Sequence, residues 1–383
     1  MHSSAPTSVA PAPLARLDAI SRARLALLHD HAPASGGLIE PWIERSWQRC
    51  LSLGHDAHQV VAFDALSAAA MRRTSDANLA LTQAARPVLQ QLGQALAHTR
   101  YFAILTNALG VVVDVNGPID RRDRRADLIT RIGVDLSERS VGTTAIGAAL
   151  TELQPVWLHR GEHFFDDTSS YSCAGAPLFG PGGQCVGMLD LTGVDAPERP
   201  ELKHLVTQSA RSIENTLALR QAHSLLLRLN WPGHRLGDDS DGLIGLDGDG
   251  YVTTSNSAAR QMVPQLQGAT ALARSHCSEL FALPFEMVFD AAAHPSQAME
   301  IPLWSGLRLQ AIAQAATDTG NGQTLLPTLG QTVPAAQDPR RLKDIETALI
   351  RKAVDDARGN VAKAALRLGV SRATVYRKLG LRA

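Results

Sequence analysis

Cysteine is scarce in this sequence. Cys50, Cys173, Cys185 and Cys277 are the only four in 383 residues, and no two of them form a C-x-x-C pair. Such sparse thiols exclude a disulfide framework and read as small buried side chains in a reducing compartment. No apolar run approaches the roughly 18 residues that a membrane span requires. Residues 1–13 are rich in Ser, Ala and Pro, with no basic stretch leading into a long apolar core, so they do not read as a secretory signal. The expectation is a soluble, cytoplasmic chain. A phosphate loop of the form G-x-x-x-x-G-K-[ST] is missing as well: Gly180, Pro181, Gly182 and Gly183 are not followed by Lys and Ser or Thr. Net charge is absent too, with 37 basic and 37 acidic residues. That balance would argue against a nucleic-acid partner if the charge were evenly spread. What the chain does have is 45% apolar residues, ample for packed cores. Its length suits about two to four domains.

The charge is not evenly spread. Residues 340–383 hold twelve basic and four acidic side chains, a net +8, so residues 1–339 carry −8. A basic patch confined to one short segment is the electrostatic footprint of a phosphate-backbone binder. The same segment has helical patterning. Leu342, Ile345, Leu349 and Ala353 recur at 3–4 spacing, with Ile350 and Val354 beside them. Gly359 suits the end of that helix and Asn360 the cap of the next. Val361, Ala364, Ala365 and Leu368 line one face of the second helix. Gly369 permits a sharp turn, Ser371 caps a third helix, and Val375 and Leu379 face inward from it.

That is helix-turn-helix patterning, in which the last helix enters the major groove. The stretch GNVAKAALRLGVSRATVYRKLG closely resembles the DNA-binding domain of the Fis family, shared with bacterial enhancer-binding regulators. The resemblance covers about 40 residues and implies sequence-specific binding to double-stranded DNA by a homodimer. It assigns Arg372, Thr374 and Arg377 to the groove, with Ser371, Tyr376 and Lys378 on the backbone.

Earlier in the chain, YFAILTNALGVVVDVN at 101–116 predicts two strands around a turn at 107–110. VGTTAIGAAL suits a helix start, and PVWLHRGEHF a strand and a loop. SCAGAPLFGPGGQCVGMLDLTG predicts a hairpin about a Pro-Gly-Gly turn at 181–183. A long helix is expected from 198 to about 229. The pieces Gly133-Val134, Ser140 to Gly147, Gly161 to Phe164, Ser172-Cys173, Ala176 to Leu178 and Gly187 to Asp190 resemble the GAF domain of the acetoin-catabolism regulator family over about 120 residues. Ile39 to Cys50, followed by Gly54, resembles that family's helical leader. The resemblance implies a small-molecule sensor with no catalytic role. Trp157, His163, Phe164, Tyr171, Cys173 and Met188 are the candidate ligand-pocket residues, since such pockets are mostly apolar with a few polar groups. Core packing accounts for each of them equally well. Glu162 beside His163 reads as a structural hydrogen bond, and no charged neighbour in sequence activates Cys173. Helix capping explains the Thr pair at 143–144 without a ligand.

The stretch DGLIGLDGDGYVTTSNSAARQMV predicts a hairpin about Asp-Gly and then a helix, and resembles the start of a PAS domain. MEIPLWSGLRLQAIAQ reads as two closing strands. No Cys or His stands where flavin or haem would be argued, so no cofactor is expected. Residues 312–339 are Thr, Gly, Gln and Pro rich, which suits a tether.

The fold class expected is multidomain α+β. It comprises a disordered N-terminus at 1–20, a helical leader at 21–95, a GAF-like sensor at 96–230 and a PAS-like domain at 238–311. A flexible linker at 312–339 and an all-α Fis-type helix-turn-helix at 340–383 complete it. About 30 residues separate the PAS-like stretch from the tail, so the central AAA+ ATPase common among such regulators has no room. The function read from this is a DNA-binding transcription regulator that senses a small-molecule effector and does not act by ATP-driven activation of sigma-N polymerase. Its output is left among repression, activation through contact with ordinary RNA polymerase, and antagonism of a full-length relative. The alternatives are a nucleoid-type architectural protein or an adaptor. An enzyme is not expected, because no nucleophile–base spacing or metal-ligand cluster is present.

Overall fold

The computed structural model describes residues 13–29, 38–64, 66–267, 275–295 and 297–316. In the C-terminal segment it describes 350, 351, 353, 354, 357, 360–368, 370, 372, 375 and 379. The architecture is mixed α+β, with two antiparallel sheets of five strands each.

The first sheet has the order β2-β1-β5-β4-β3. Its strands are β1 (Tyr101–Asn107), β2 (Val112–Asn116), β3 (Val156–His159), β4 (Tyr171–Phe179) and β5 (Cys185–Val194). β1 is buried along its whole length, because helices cover both faces of the sheet. Side chains alternate between those faces. Ile104, Cys173 and Met188 enter one core, while Ala103, Leu105, Leu189 and Leu191 enter the other.

The segment read as a leader is built into both cores. Helix α1 (Pro13–Arg24) precedes α2 (Pro41–Ser52), whose proline occupies the first turn, where its missing N–H costs nothing. α2 buries Trp42, Ile43, Ser46, Trp47 and Cys50, a stripe at helical spacing. That stripe joins the core holding Ile104 and Cys173. After α3 (Ala68–Ala77), helix α4 (Leu79–Ala95) buries Leu81, Ala84, Ala85, Val88, Leu89 and Leu92 on the other face. Short helices α5 (Arg124–Ile129), α6 (Glu138–Val141) and α7 (Ala145–Glu152) return to the first face.

The helix expected from 198 to about 229 is shorter. α8 (Leu202–Leu219) ends there, and Leu225–Asn230 is a strand, β6. β6 is the middle strand of the second sheet, ordered β8-β7-β6-β10-β9. Residues 225–230, expected in the first unit, therefore belong to the second. Leu225, Leu227 and Leu229 enter the second core, and Leu226 packs with Ala218 and Leu243 on the opposite side. Leucine favours a helix by only a few tenths of a kcal/mol over most residues. Two strand partners and burial on both faces outweigh that preference. Val206 and Ile213 of α8 are buried against the first sheet.

The rest of the second sheet is β7 (Gly242–Leu246), β8 (Val252–Ser255), β9 (Met299–Pro302) and β10 (Arg308–Ala315). Helices α9 (Ser257–Met262), α10 (Cys277–Leu280) and α11 (Phe285–Ala291) lie among these strands in the chain. The hairpins expected at 107–110, 181–183 and about Asp247 and Ser305 are all present.

In the C-terminal segment, α12 (Val361–Leu368) starts at Asn360, whose side-chain oxygen accepts from the Lys363 N–H at 3.0 Å. Ile350, Ala365 and Val375 form a small core with Val361 and Leu368 against it.

Candidate functional site

Alternation along β5 sets one polar row. Asp190 and Thr192, two residues apart, share the face that carries Met188. Asp190 lies opposite Ile104 and Gly175, and Thr192 opposite Cys173. A Cβ at Gly175 would stand 3.0 Å from the Ala145 carbonyl oxygen and 2.6 Å from the Met188 methyl. The absent side chain therefore lets α7 sit directly on the sheet. The gap left between β5, β4 and the helices is a cavity of about 30 Å³. Its apolar wall includes Ile104, Ile129, Leu136, Val141 and Ile146, and its polar lining is Thr144, His163, Thr168, Tyr171, Cys173, Asp190 and Thr192.

The hydrogen bonds of this lining close on one another. Nδ1 of His163 stands 2.9 Å from the Arg160 carbonyl oxygen, which only accepts, so Nδ1 carries the proton. Burial holds this imidazole neutral by lowering it to about 4. Its Nε2 is then an acceptor, 3.5 Å from the Cys173 sulfur. Burial raises the Cys173 thiol well above its usual range, so it keeps a proton to donate. The Thr192 hydroxyl donates to Oδ2 of Asp190 and lies 3.3 Å from the Cys173 sulfur. Tyr171 donates to the Arg125 carbonyl and Thr168 to that of Phe165, while Thr144 caps α7 by accepting from the Gly147 N–H. One group is left over. Oδ1 of Asp190 is buried without a hydrogen-bond partner.

Burial raises the Asp190 carboxyl from its ordinary 3.8 to about 7, opposed only by the Thr192 hydroxyl. Between those values the folded chain holds a proton that the unfolded chain has released. This group's contribution to stability is therefore best below pH 3.8 and declines as pH rises to about 7. Asp190→Asn keeps the shape and removes the titration. Its melting temperature should rise relative to the parent between pH 5 and pH 8, a differential of up to about 3 kcal/mol. A difference between the two proteins that stays flat with pH would show that the carboxyl titrates normally.

The ligand candidates read from the sequence divide. His163, Tyr171 and Cys173 line the cavity. Trp157 does not, because its strand position opposite Ala174 places it in the core on the other face of the sheet. Phe164 packs edge-on against Phe165 within the first core, and Met188 is buried beside Gly175. Asp190 and Thr192 were missed as site residues. The signal for them was a lone carboxylate and a hydroxyl at alternate positions of an otherwise apolar strand.

Glu162 and His163 are adjacent but serve different partners. Glu162 accepts from the His159 N–H at 2.7 Å and takes both its oxygens to Arg16 of α1, at 2.8 and 2.9 Å. Arg24 donates to the carbonyls of Gly161, His163 and Phe164 and pairs with Asp166. The indole N–H of Trp47 donates to the Glu162 carbonyl at 2.9 Å. On the other flank, Arg49 is bidentate to Glu138, and Ser46 reaches Glu138 and Thr143. The N-terminal helices thus hold the 160–166 loop that carries His163 into the cavity.

On the DNA side, Arg372 is exposed. Ser371, Thr374, Tyr376, Arg377 and Lys378 lie outside the described residues. Among the described residues no helix is long and apolar enough to cross a membrane.

Comparison with known proteins adds two family matches. The Fis family model of bacterial regulatory proteins matches residues 341–380. The model described as MimR, N-terminal domain matches residues 19–215. The chain is 30% identical over 259 residues to the acetoin catabolism regulatory protein of Cupriavidus necator, covering 65% of this chain and 37% of that protein. It is 25% identical over 227 residues to the acetoin dehydrogenase operon transcriptional activator AcoR of Bacillus subtilis, covering 59% and 37%. It is 28% identical over 181 residues to the propane 2-monooxygenase operon transcriptional activator MimR of Mycolicibacterium goodii, covering 47% and 30%. The chain therefore spans about a third of the length of these curated relatives. Within it, none of the five lysines follows a glycine, so no G-K pair of an ATPase phosphate loop occurs anywhere. The first family match begins in α1 and ends in α8, taking in both helical faces and the whole first sheet. Because that match covers half of its residues, the chain belongs to the MimR N-terminal domain family.

Proposed function

We propose that this protein is a DNA-binding transcription regulator. Its first unit is a GAF-like domain that binds a small molecule, and its basic tail is a Fis-type helix-turn-helix. The observation that carries the sensor half is the cavity over β4 and β5, whose one unpartnered polar atom belongs to a fully buried carboxylate. An interior built only for stability rarely leaves such a group unpaired. The DNA half is supported by the Fis family match on the +8 segment. The second sheet, entered through β6 and continued by a hairpin about Asp247 and Gly250, supports a PAS-like unit starting near 225. We read residues 312–339 as the tether. The tail is read as the contact of a homodimer with two half-sites, about 34–36 Å apart.

The absence of a G-K pair supports an output that does not pass through ATP-driven remodelling of sigma-N polymerase. Regulation then proceeds through how the sensor units hold the two DNA-binding segments. The test pairs genome-wide mapping of binding sites with a thermal-shift screen of small ketones, alcohols and aromatics. At least one compound should raise the melting temperature of the full chain and change its occupancy of mapped sites. Site occupancy indifferent to every compound that binds would remove the sensor role, and ATP hydrolysis by the chain would overturn the proposed output.

A further inference from the structure

Within the sensor reading, the cavity itself specifies what it takes. The other polar side chains of its lining have hydrogen-bond partners in the protein. Among the described lining residues, Oδ1 of Asp190 alone is a buried polar atom without one. A carboxylate oxygen in this position accepts and does not donate when ionised. We propose that Asp190 is the ligand-anchoring residue of this unit. It accepts a hydrogen bond from the single hydroxyl of a short aliphatic ligand whose hydrocarbon part lies against Ile104, Leu136 and Val141.

Three observations select a hydroxyl over other donors. First, the free acceptor is one atom. An ammonium group carries three N–H donors and would leave two of them buried without partners, at a cost a hydroxyl does not incur. Second, among the described residues no cation shifts the titration of the Asp190 carboxyl. It is not already half of an ion pair, and its second oxygen is held by Thr192. Third, the cavity of about 30 Å³ has room for little more than a water molecule or two, so a ligand must be short and must displace a wall. Of the lining residues only Phe63 and Thr144 are partly exposed. Phe63 lies outside helix and strand, between α2 and α3, so it is the wall that can yield and the route of entry.

This inference rests on the first unit being a small-molecule sensor, and the experiment separates the two claims. Binding of 1-butanol, 2-butanone and n-butylamine to the full chain is measured at pH 8 by ligand-observed NMR and by thermal shift. That pH lies above the value near 7 to which burial raises Asp190. The expected order has 1-butanol binding about 10–100-fold more tightly than 2-butanone, which offers no donor, as a hydrogen bond to a charged acceptor supplies.

Asp190→Asn replaces the free acceptor and should remove most of that preference, with 2-butanone gaining relative to 1-butanol. Ile146→Val trims the apolar wall, leaves both Asp190 oxygens as they are and should keep the preference, which separates loss of the anchor from general damage to the cavity. Equal binding of butanol and butanone that Asp190→Asn does not alter would retain the sensor and remove Asp190 as its anchor. Preference for butylamine would overturn the single-donor argument. A preference for butanol that survives in Asp190→Asn would place the acceptor elsewhere. No binding of any probe up to tens of millimolar would overturn the anchor and count against the sensor reading as well.

Discussion

Trp47→Ala should lower the stability of the first unit by about 3–5 kcal/mol, the range for truncating a buried aromatic side chain to alanine. Trp47 is fully buried on α2 in a core shared with the first sheet. Its indole N–H satisfies the Glu162 carbonyl, and the Arg24 guanidinium lies over its ring at 5.6 Å. Truncation removes apolar contact, leaves a carbonyl without its donor and withdraws the surface on which Arg24 rests. The loop those groups hold also carries His163, so local order at the cavity should fall with stability. At roughly 2–4 °C per kcal/mol for a unit of this size, the melting temperature should drop by about 6–20 °C. Trp47→Phe, which loses the N–H but keeps most of the ring, should cost much less. A loss below about 1 kcal/mol for the alanine variant would mean that the N-terminal helices dock on the unit without being part of its core.

DNA affinity should be steeply sensitive to salt. The proposed interface gathers twelve basic residues into 44 positions. If a dimer neutralises about 6–10 phosphates, affinity for a generic duplex falls by roughly 10³–10⁵ between 50 and 200 mM salt. Arg372→Ala should reduce the logarithmic slope by about one if that exposed side chain meets a phosphate. If instead it reads a base, the slope should hold while discrimination at one position drops by about 1–3 kcal/mol. The remainder of the chain carries −8, so its removal should raise non-specific binding. A slope near zero, measured by anisotropy across a salt series, would show that the basic segment does not face DNA.

Much of the fold was legible where short-range chemistry decides it. Asn360 before an Ala-rich face gave a capped helix, Thr144 capped α7, and Pro-Gly-Gly at 181–183 gave the β4–β5 hairpin. The failure at β6 has the opposite cause. LLLRLN carries no period that separates helix from strand, and no Gly or Pro stands between Leu219 and Leu225. The decision rests on β7 and β10, which pair with β6 from either side and lie up to 90 residues away. The cavity was legible in part for the same reason. His163, Tyr171 and Cys173 stood within recognisable pieces. Trp157 looked equally suited until strand pairing put it on the far face. Asp190 became conspicuous only once the other polar groups of the cavity lining were seen to be satisfied and one of its oxygens was not.

The position of β6 also limits how the molecule can be cut and rejoined. Five residues link the end of α8 to the first residue of that strand. A stretch of that length reaches at most about 17 Å. A hybrid protein that takes its sensor from this chain and its remainder from a relative must be joined within 220–224. A seam placed at 230 would hand the middle strand of the second sheet to the wrong parent. It would set this chain's Leu225, Leu227 and Leu229 into a core whose other residues come from the relative, where a change of even one methylene in packing is felt.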